Sequence, residues 1–198
     1  MLRRLALAIG SMGLVVASLS GPASAATITD DTPQRSVKER PTLMSPETAR
    51  RVASSADPAA AAAATGAFRV RNYNSGKCLV VQGKGNGTRA IQYTCTTLDD
   101  QYWYFIGSST DDVELRNFNS NKCLVVQGTE NNSSAFQYDC HENLADQRWQ
   151  LRLDAGNHYM LANRNSWKCL VVQGGGDGAV PFQYDCHENL DDQWWYRG

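Results

Sequence analysis

From residue 67 onward the chain is one pattern written three times. Arg71-Asn-Tyr-Asn-Ser-Gly-Lys-Cys-Leu-Val-Val-Gln-Gly83 returns as Arg116-Asn-Phe-Asn-Ser-Asn-Lys-Cys-Leu-Val-Val-Gln-Gly128. It returns again as Asn163-Arg-Asn-Ser-Trp-Lys-Cys-Leu-Val-Val-Gln-Gly174. Each copy continues into a polar, Gly/Asn-rich stretch and then Gln-Tyr-x-Cys, ending at Cys95, Cys140 and Cys186. Each closes on Gln-x-Trp: Gln101/Trp103, Gln147/Trp149 and Gln193/Trp195. The spacing is 45 or 46 residues throughout. A unit this short cannot bury its own apolar face, so three copies must close on one another.

Within a unit the local signals are those of strands. Phe68/Val70, Val113/Leu115 and Tyr159/Leu161 alternate with polar neighbours, the period of a half-buried strand. Asn-Ser-Gly and Asn-Ser-Asn then mark turns, with Gly76 and Asn121 suited to positive φ. Trp167 breaks that turn pattern in the third copy, where contact with a partner and partial packing both account for it. Lys-Cys-Leu-Val-Val supplies a second strand, Gln-Tyr-x-Cys a third and Gln-x-Trp a fourth. Three units of four short strands predict one closed all-β domain over residues 66–198, and closure removes the open edges that invite aggregation. Trp103, Trp149 and Trp195 are expected to plug its centre.

Residues 1–25 read as a secretory signal. Arg3 and Arg4 precede an apolar run from Leu5 to about Leu19, and Ala23-Ser24-Ala25 is a small-residue cleavage site. The run is too short and too interrupted to predict a membrane span, so the chain is expected to be secreted and extracellular. Losing the two arginines of this segment, which holds no acids, moves the net charge from -1 to -3. The residues from Ala67 carry 12 Lys/Arg and 15 Asp/Glu, interspersed. That distribution offers no basic stripe to nucleic acid or to an anionic membrane surface. Residues 26–65 mix charges with Pro33, Pro41, Pro46 and Pro58 and hold no aromatic residue, the composition of a flexible tail, linker or pro-segment. Ser45-Pro46-Glu47 is a start signal for a short helix through Val52.

Six cysteines in an exported chain form a disulfide framework, and none sits in a CxxC pair that would suggest zinc. Of fifteen connectivities only a few respect the repeat. Pairing within a unit joins Cys78–Cys95, Cys123–Cys140 and Cys169–Cys186, each bridge contributing roughly 3 kcal/mol by loop closure.

The three Gln-x-Trp ends, each with a Cys-Leu-x-Val strand and a downstream aromatic-x-Cys, resemble the ricin-type β-trefoil lectin family across residues 67–198. The resemblance implies a pseudo-threefold trefoil with up to three shallow sugar sites, taking galactose-type, xylan-type or other glycans. Carried over position by position, it assigns ring stacking to Tyr93, Tyr138 and Tyr184. It assigns hydrogen bonding to Gln101, Gln147 and Gln193. The family's Asn before that glutamine is here Asp100, Asp146 and Asp192. The family's Asp after Cys-Leu is here Val80, Val125 and Val171, and a frequent Gln is replaced by Ile91, Phe136 and Phe182. A hydrogen bond to a charged group contributes about 1.5–3 kcal/mol, and millimolar binding totals only about 4 kcal/mol. A site without its carboxylate would therefore fall silent unless Asp100, Asp146 and Asp192 supply it from the opposite wall. The plain alternative leaves them as solvated turn residues. Gln82, Gln127 and Gln173 fit either a pocket or a turn.

His141-Glu142 and His187-Glu188 invite an acid–base reading, but the first unit has Thr96-Thr97 instead, and no nucleophile–base set accompanies them. The expectation is a multivalent, monomeric glycan-binding module, not an enzyme, with no cofactor or metal. The competing expectation is a trefoil that binds a secreted protein through its less polar pockets.

Overall fold

The computed structural model describes residues 43–48 and 66–198. The signal segment 1–25 and most of the tail lie outside them, as does the expected helix beyond residue 48.

Each unit contributes four strands, in the order expected. The first unit has β2 (Phe68–Asn72), β3 (Cys78–Val80), β4 (Ile91–Tyr93) and β5 (Tyr102–Gly107). The second has β6 (Val113–Asn117), β7 (Cys123–Val125), β8 (Phe136–Tyr138) and β9 (Trp149–Leu153). The third has β10 (Tyr159–Asn163), β11 (Cys169–Val171), β12 (Phe182–Tyr184) and β13 (Trp195–Arg197). First and fourth strands pair around a closed ring, β2–β5–β6–β9–β10–β13 and back to β2. Second and third strands form three hairpins, β3–β4, β7–β8 and β11–β12, linked by Arg89↔Phe136 and Ser134↔Phe182 bridges. This is a β-trefoil.

The alternation read from the sequence is what fills the barrel. Phe68, Val70, Val113, Leu115, Tyr159 and Leu161 all point inward, joined by Leu79, Leu124 and Leu170 of the hairpins. Trp103, Trp149 and Trp195 are wholly buried. Each indole N–H donates to the carbonyl of the hairpin leucine of its own unit, Leu79, Leu124 or Leu170, at 2.9, 3.2 and 3.0 Å. A buried ring with a polar atom needs such a partner. The disulfides are the three within-unit bridges, Cys78–Cys95, Cys123–Cys140 and Cys169–Cys186.

Each Gln-Tyr-x-Cys glutamine ties its unit to another. Gln92, Gln137 and Gln183 are buried. Each side-chain amide donates to two loop carbonyls of another unit: Gly174 and Gly176, Gly83 and Gly85, Gly128 and Glu130. Each carbonyl oxygen accepts from Ser75, Ser120 or Ser166.

One strand lies outside the repeat. Leu43–Met44 (β1) pairs in parallel with Phe105 and Ile106 of β5. The cause is a gap, because β2 pairs with β5 only at Tyr102 and Trp103, leaving the rest of that edge open. Met44 is buried against Tyr104 and Ile106. The Ser45 hydroxyl accepts from the Thr48 N–H at 3.2 Å, the cap expected for a helix starting at Pro46. These residues of the tail thus belong to the folded body.

Candidate functional site

Tyr93, Tyr138 and Tyr184 end the third strand of each unit and are 38, 40 and 37% exposed. The pleat explains this, because the preceding glutamine turns inward to clamp another unit and sends the tyrosine out. Ile91, Phe136 and Phe182, two residues earlier, are half-buried.

Asp100, Asp146 and Asp192 sit in short 3-10 turns just before the closing strand. Each turn is pinned twice through its aspartate's backbone carbonyl. Val81, Val126 and Val172 donate their N–H to Asp100, Asp146 and Asp192 at 3.2–3.3 Å, laying each aspartate across the second strand of its own unit. The buried Asn117, Asn163 and Asn72 of the adjoining units donate their side-chain N–H to the same carbonyls at 2.8–2.9 Å. The valines Val80, Val125 and Val171, one residue earlier in those strands, are buried.

The carboxylates themselves stand differently. In all three turns one carboxylate oxygen (Oδ1) is buried and has no hydrogen-bond partner. Burial raises the pKa of Asp100, Asp146 and Asp192 above the ordinary aspartate value. A buried polar atom without a partner is costly, and this one recurs at three places.

The glutamines are placed otherwise than the family analogy assigned. Gln101, Gln147 and Gln193 are buried. Each carbonyl oxygen accepts the N–H of Thr96, His141 or His187 at 2.7–2.8 Å. Each amide donates to the carbonyl of Thr94, Asp139 or Asp185 at 2.9–3.1 Å. Both ends of the side chain are committed to the loop, which leaves these glutamines a positioning role. Thr94, Asp139 and Asp185 directly follow the tyrosines, so each glutamine ties the turn of its neighbouring aspartate to the strand end that carries the exposed ring. Gln82, Gln127 and Gln173 are exposed, two residues beyond the ends of the second strands.

Sequence reading missed a second ring of polar contacts between units. Asn86 bonds Asp139, Asn131 bonds Asp185 and Asp177 bonds Thr94, in each case through the backbone N–H as well as the side chain. The third junction moves the carboxylate from the strand end to the loop, an exchange that leaves every junction one carboxylate, paired with Lys122, Lys168 or Lys77. That exchange was the available signal: where the loop carries Asp instead of Asn, the strand end carries Thr instead of Asp.

Two cavities contain neither the tyrosines nor the aspartates. One of about 330 Å³ is lined by Pro46, Ile106, Glu114, Arg116, Glu142, Asn143 and Arg148. The other, about 340 Å³, lies among Gly87, Arg89, Ser134, Ala135 and Phe136. His141-Glu142 and His187-Glu188 lie exposed in the loops after the second cysteines. Among the described residues no helix is long and apolar enough to cross a membrane.

In each unit the closed trefoil presents an exposed tyrosine and an aspartate with an unbonded carboxylate oxygen. Residues 66–195 match the model of the ricin-type β-trefoil lectin domain, and the chain belongs to that family. It is a carbohydrate-binding module. No curated protein sequence matches it. Among solved structures it is similar to the designed threefold-symmetric protein ThreeFoil, with 29% identity, TM-score 0.62, and coverage of 67% of this chain and 97% of that one. It is similar in fold to an exo-β-1,3-galactanase from Clostridium thermocellum, with 23% identity, TM-score 0.62 and 66% of this chain covered. The match spans only 29% of the galactanase. It is also similar in fold to a Macrolepiota procera ricin B-like lectin in complex with lactose, with 17% identity, TM-score 0.56, and coverage of 66% of this chain and 93% of that one.

Proposed function

We propose that the protein is an exported lectin that holds glycans multivalently at up to three related surfaces, those of the second and third units being the most alike. In each, a tyrosine stacks on a sugar ring and the aspartate before the buried glutamine accepts sugar hydroxyls. The observation that carries this reading is the threefold recurrence of a half-buried aspartate whose Oδ1 no group of the fold bonds, tied through its neighbouring glutamine to the strand end that bears an exposed tyrosine. A tyrosine face suits the apolar side of a pyranose, and a carboxylate suits the hydroxyls at its edge. The aspartates then take the place of the family carboxylate that Val80, Val125 and Val171 displace. Each site alone is weak, and three on one rigid body raise avidity on a repetitive surface. Export is supported by the three-part leader and by three disulfides, which persist in oxidising compartments.

The test is a glycan array and polysaccharide pull-down with residues 26–198, beside Tyr138→Ala and Tyr184→Ala. Binding that falls with each substitution is expected. Recovery of a stoichiometric protein partner that excess free sugar does not displace, with an empty array, would replace this reading with the protein-binding one.

A further inference from the structure

The turn between the first and second strands has the same backbone in all three units. Gly76, Asn121 and Trp167 each donate N–H to the carbonyl of Asn72, Asn117 or Asn163. Each has positive φ, at 66, 56 and 59°. Glycine accepts this conformation freely and asparagine readily, whereas a bulky aromatic is strained there. Burial does not offset the strain, because Trp167 is 51% exposed. Its ring is nevertheless held. The Arg164 guanidinium lies 4.7 Å from the ring centroid. Arg164 is fixed in turn by donating to the carbonyl of Asp111 at 3.2 Å.

The position of Trp167 relative to the third site follows from the strand register. Cys169 pairs with Tyr184, so Trp167, two residues earlier, falls opposite Cys186, and its carbonyl lies 3.5 Å from the Cys186 sulfur. Trp167 thus stands at the turn end of the hairpin that carries Tyr184, beside the Cys169–Cys186 disulfide. The adjoining residues of the two strands, Lys168 and Asp185, form an ion pair.

We propose that Trp167 is a second stacking platform, present in the third unit alone, that receives the sugar adjoining the one on Tyr184. The third site thereby prefers an oligosaccharide to a monosaccharide. This rests on the lectin reading above. The experiment is calorimetric titration of the exported chain with galactose against lactose and with xylose against xylotriose, repeated for Trp167→Asn and Tyr184→Ala. Asparagine is the residue that Asn121 shows to be at ease in this turn, so Trp167→Asn should melt no lower than the parent. It should weaken the longer sugar by about three- to tenfold, the weight of one stacking contact, and leave the monosaccharide within about twofold. Tyr184→Ala should weaken both members of a pair. Equal affinity of parent and Trp167→Asn for the longer sugars would overturn the platform and leave the lectin reading standing. Failure of the parent to bind any of the four sugars or any array glycan would remove both.

Discussion

The molecule carries two rings of aspartates that share a threefold plan and differ in every physical respect. Asp139, Asp177 and Asp185 sit at the junctions between units with both carboxylate oxygens bonded to lysine, asparagine or threonine. Their pKa values lie below the ordinary aspartate value. Asn86 and then Lys122 account for this at Asp139, Lys77 and then Thr94 at Asp177, and Lys168 and then Asn131 at Asp185. Asp100, Asp146 and Asp192 are pinned through their backbones, keep an unpartnered oxygen and are pushed upward by burial. The first ring serves the fold. The second keeps half-buried carboxylates with one oxygen that the fold leaves unbonded, the kind of perturbed group that marks a candidate site.

The largest test of that difference is Asp146→Asn combined with Asp192→Asn. If these carboxylates receive sugar hydroxyls, glycan affinity should fall by about tenfold or more at each altered site, the equivalent of one hydrogen bond to a charged group. Melting temperature at neutral pH should not fall, because the substitution removes a charge that burial disfavours. Unchanged affinity would break the comparison by making both rings structural.

Acidification should separate the rings without mutation. A raised carboxylate pKa means the fold favours the protonated form, so these aspartates contribute stability at low pH that is lost as pH rises through the folded pKa. The junction aspartates work the other way. Their contribution is complete above the unfolded pKa of about 3.9 and is lost as pH falls through their lower folded values. Sugar hydroxyls need the ionised form of the binding ring. Affinity should therefore drop first, as pH falls through the raised pKa values, while circular dichroism still reports the native fold. Simultaneous loss of binding and structure would contradict the assignment.

The two rings also differ in how far the sequence disclosed them. Strands, disulfides and the tryptophan core follow from residues that repeat at one period and act within a unit, so pattern reading reached them. Asp100, Asp146 and Asp192 were visible as a departure from a family motif. The junction ring was not visible, because Asn86 and Asp139 are 53 residues apart and neither is unusual alone. The buried Gln101, Gln147 and Gln193 were assigned to ligand because a carboxamide's burial and partners cannot be read from its position in a motif. Leu43–Met44 carries no periodic signal at all. It is a strand because β5 has an open edge, a fact belonging to the partner.

The smallest expected effect lies inside the junction ring. Asp139 bonds only Lys122 and the Asn86 amide, while its own N–H is met by the Asn86 carbonyl oxygen. Asp177 does more with one carboxylate, accepting from Lys77, the Thr94 N–H and the Thr94 hydroxyl. Asp139→Ala leaves the backbone contact at its junction intact, whereas Asp177→Ala strips the Thr94 N–H of its partner. Exposed ion pairs contribute little and are screened by salt. Asp139→Ala should therefore lower the melting temperature slightly, with the difference shrinking at high ionic strength. Asp177→Ala should lower it further and keep a residue that salt does not erase. Neither should change glycan affinity, and a loss of binding in either would place the junction ring inside the site.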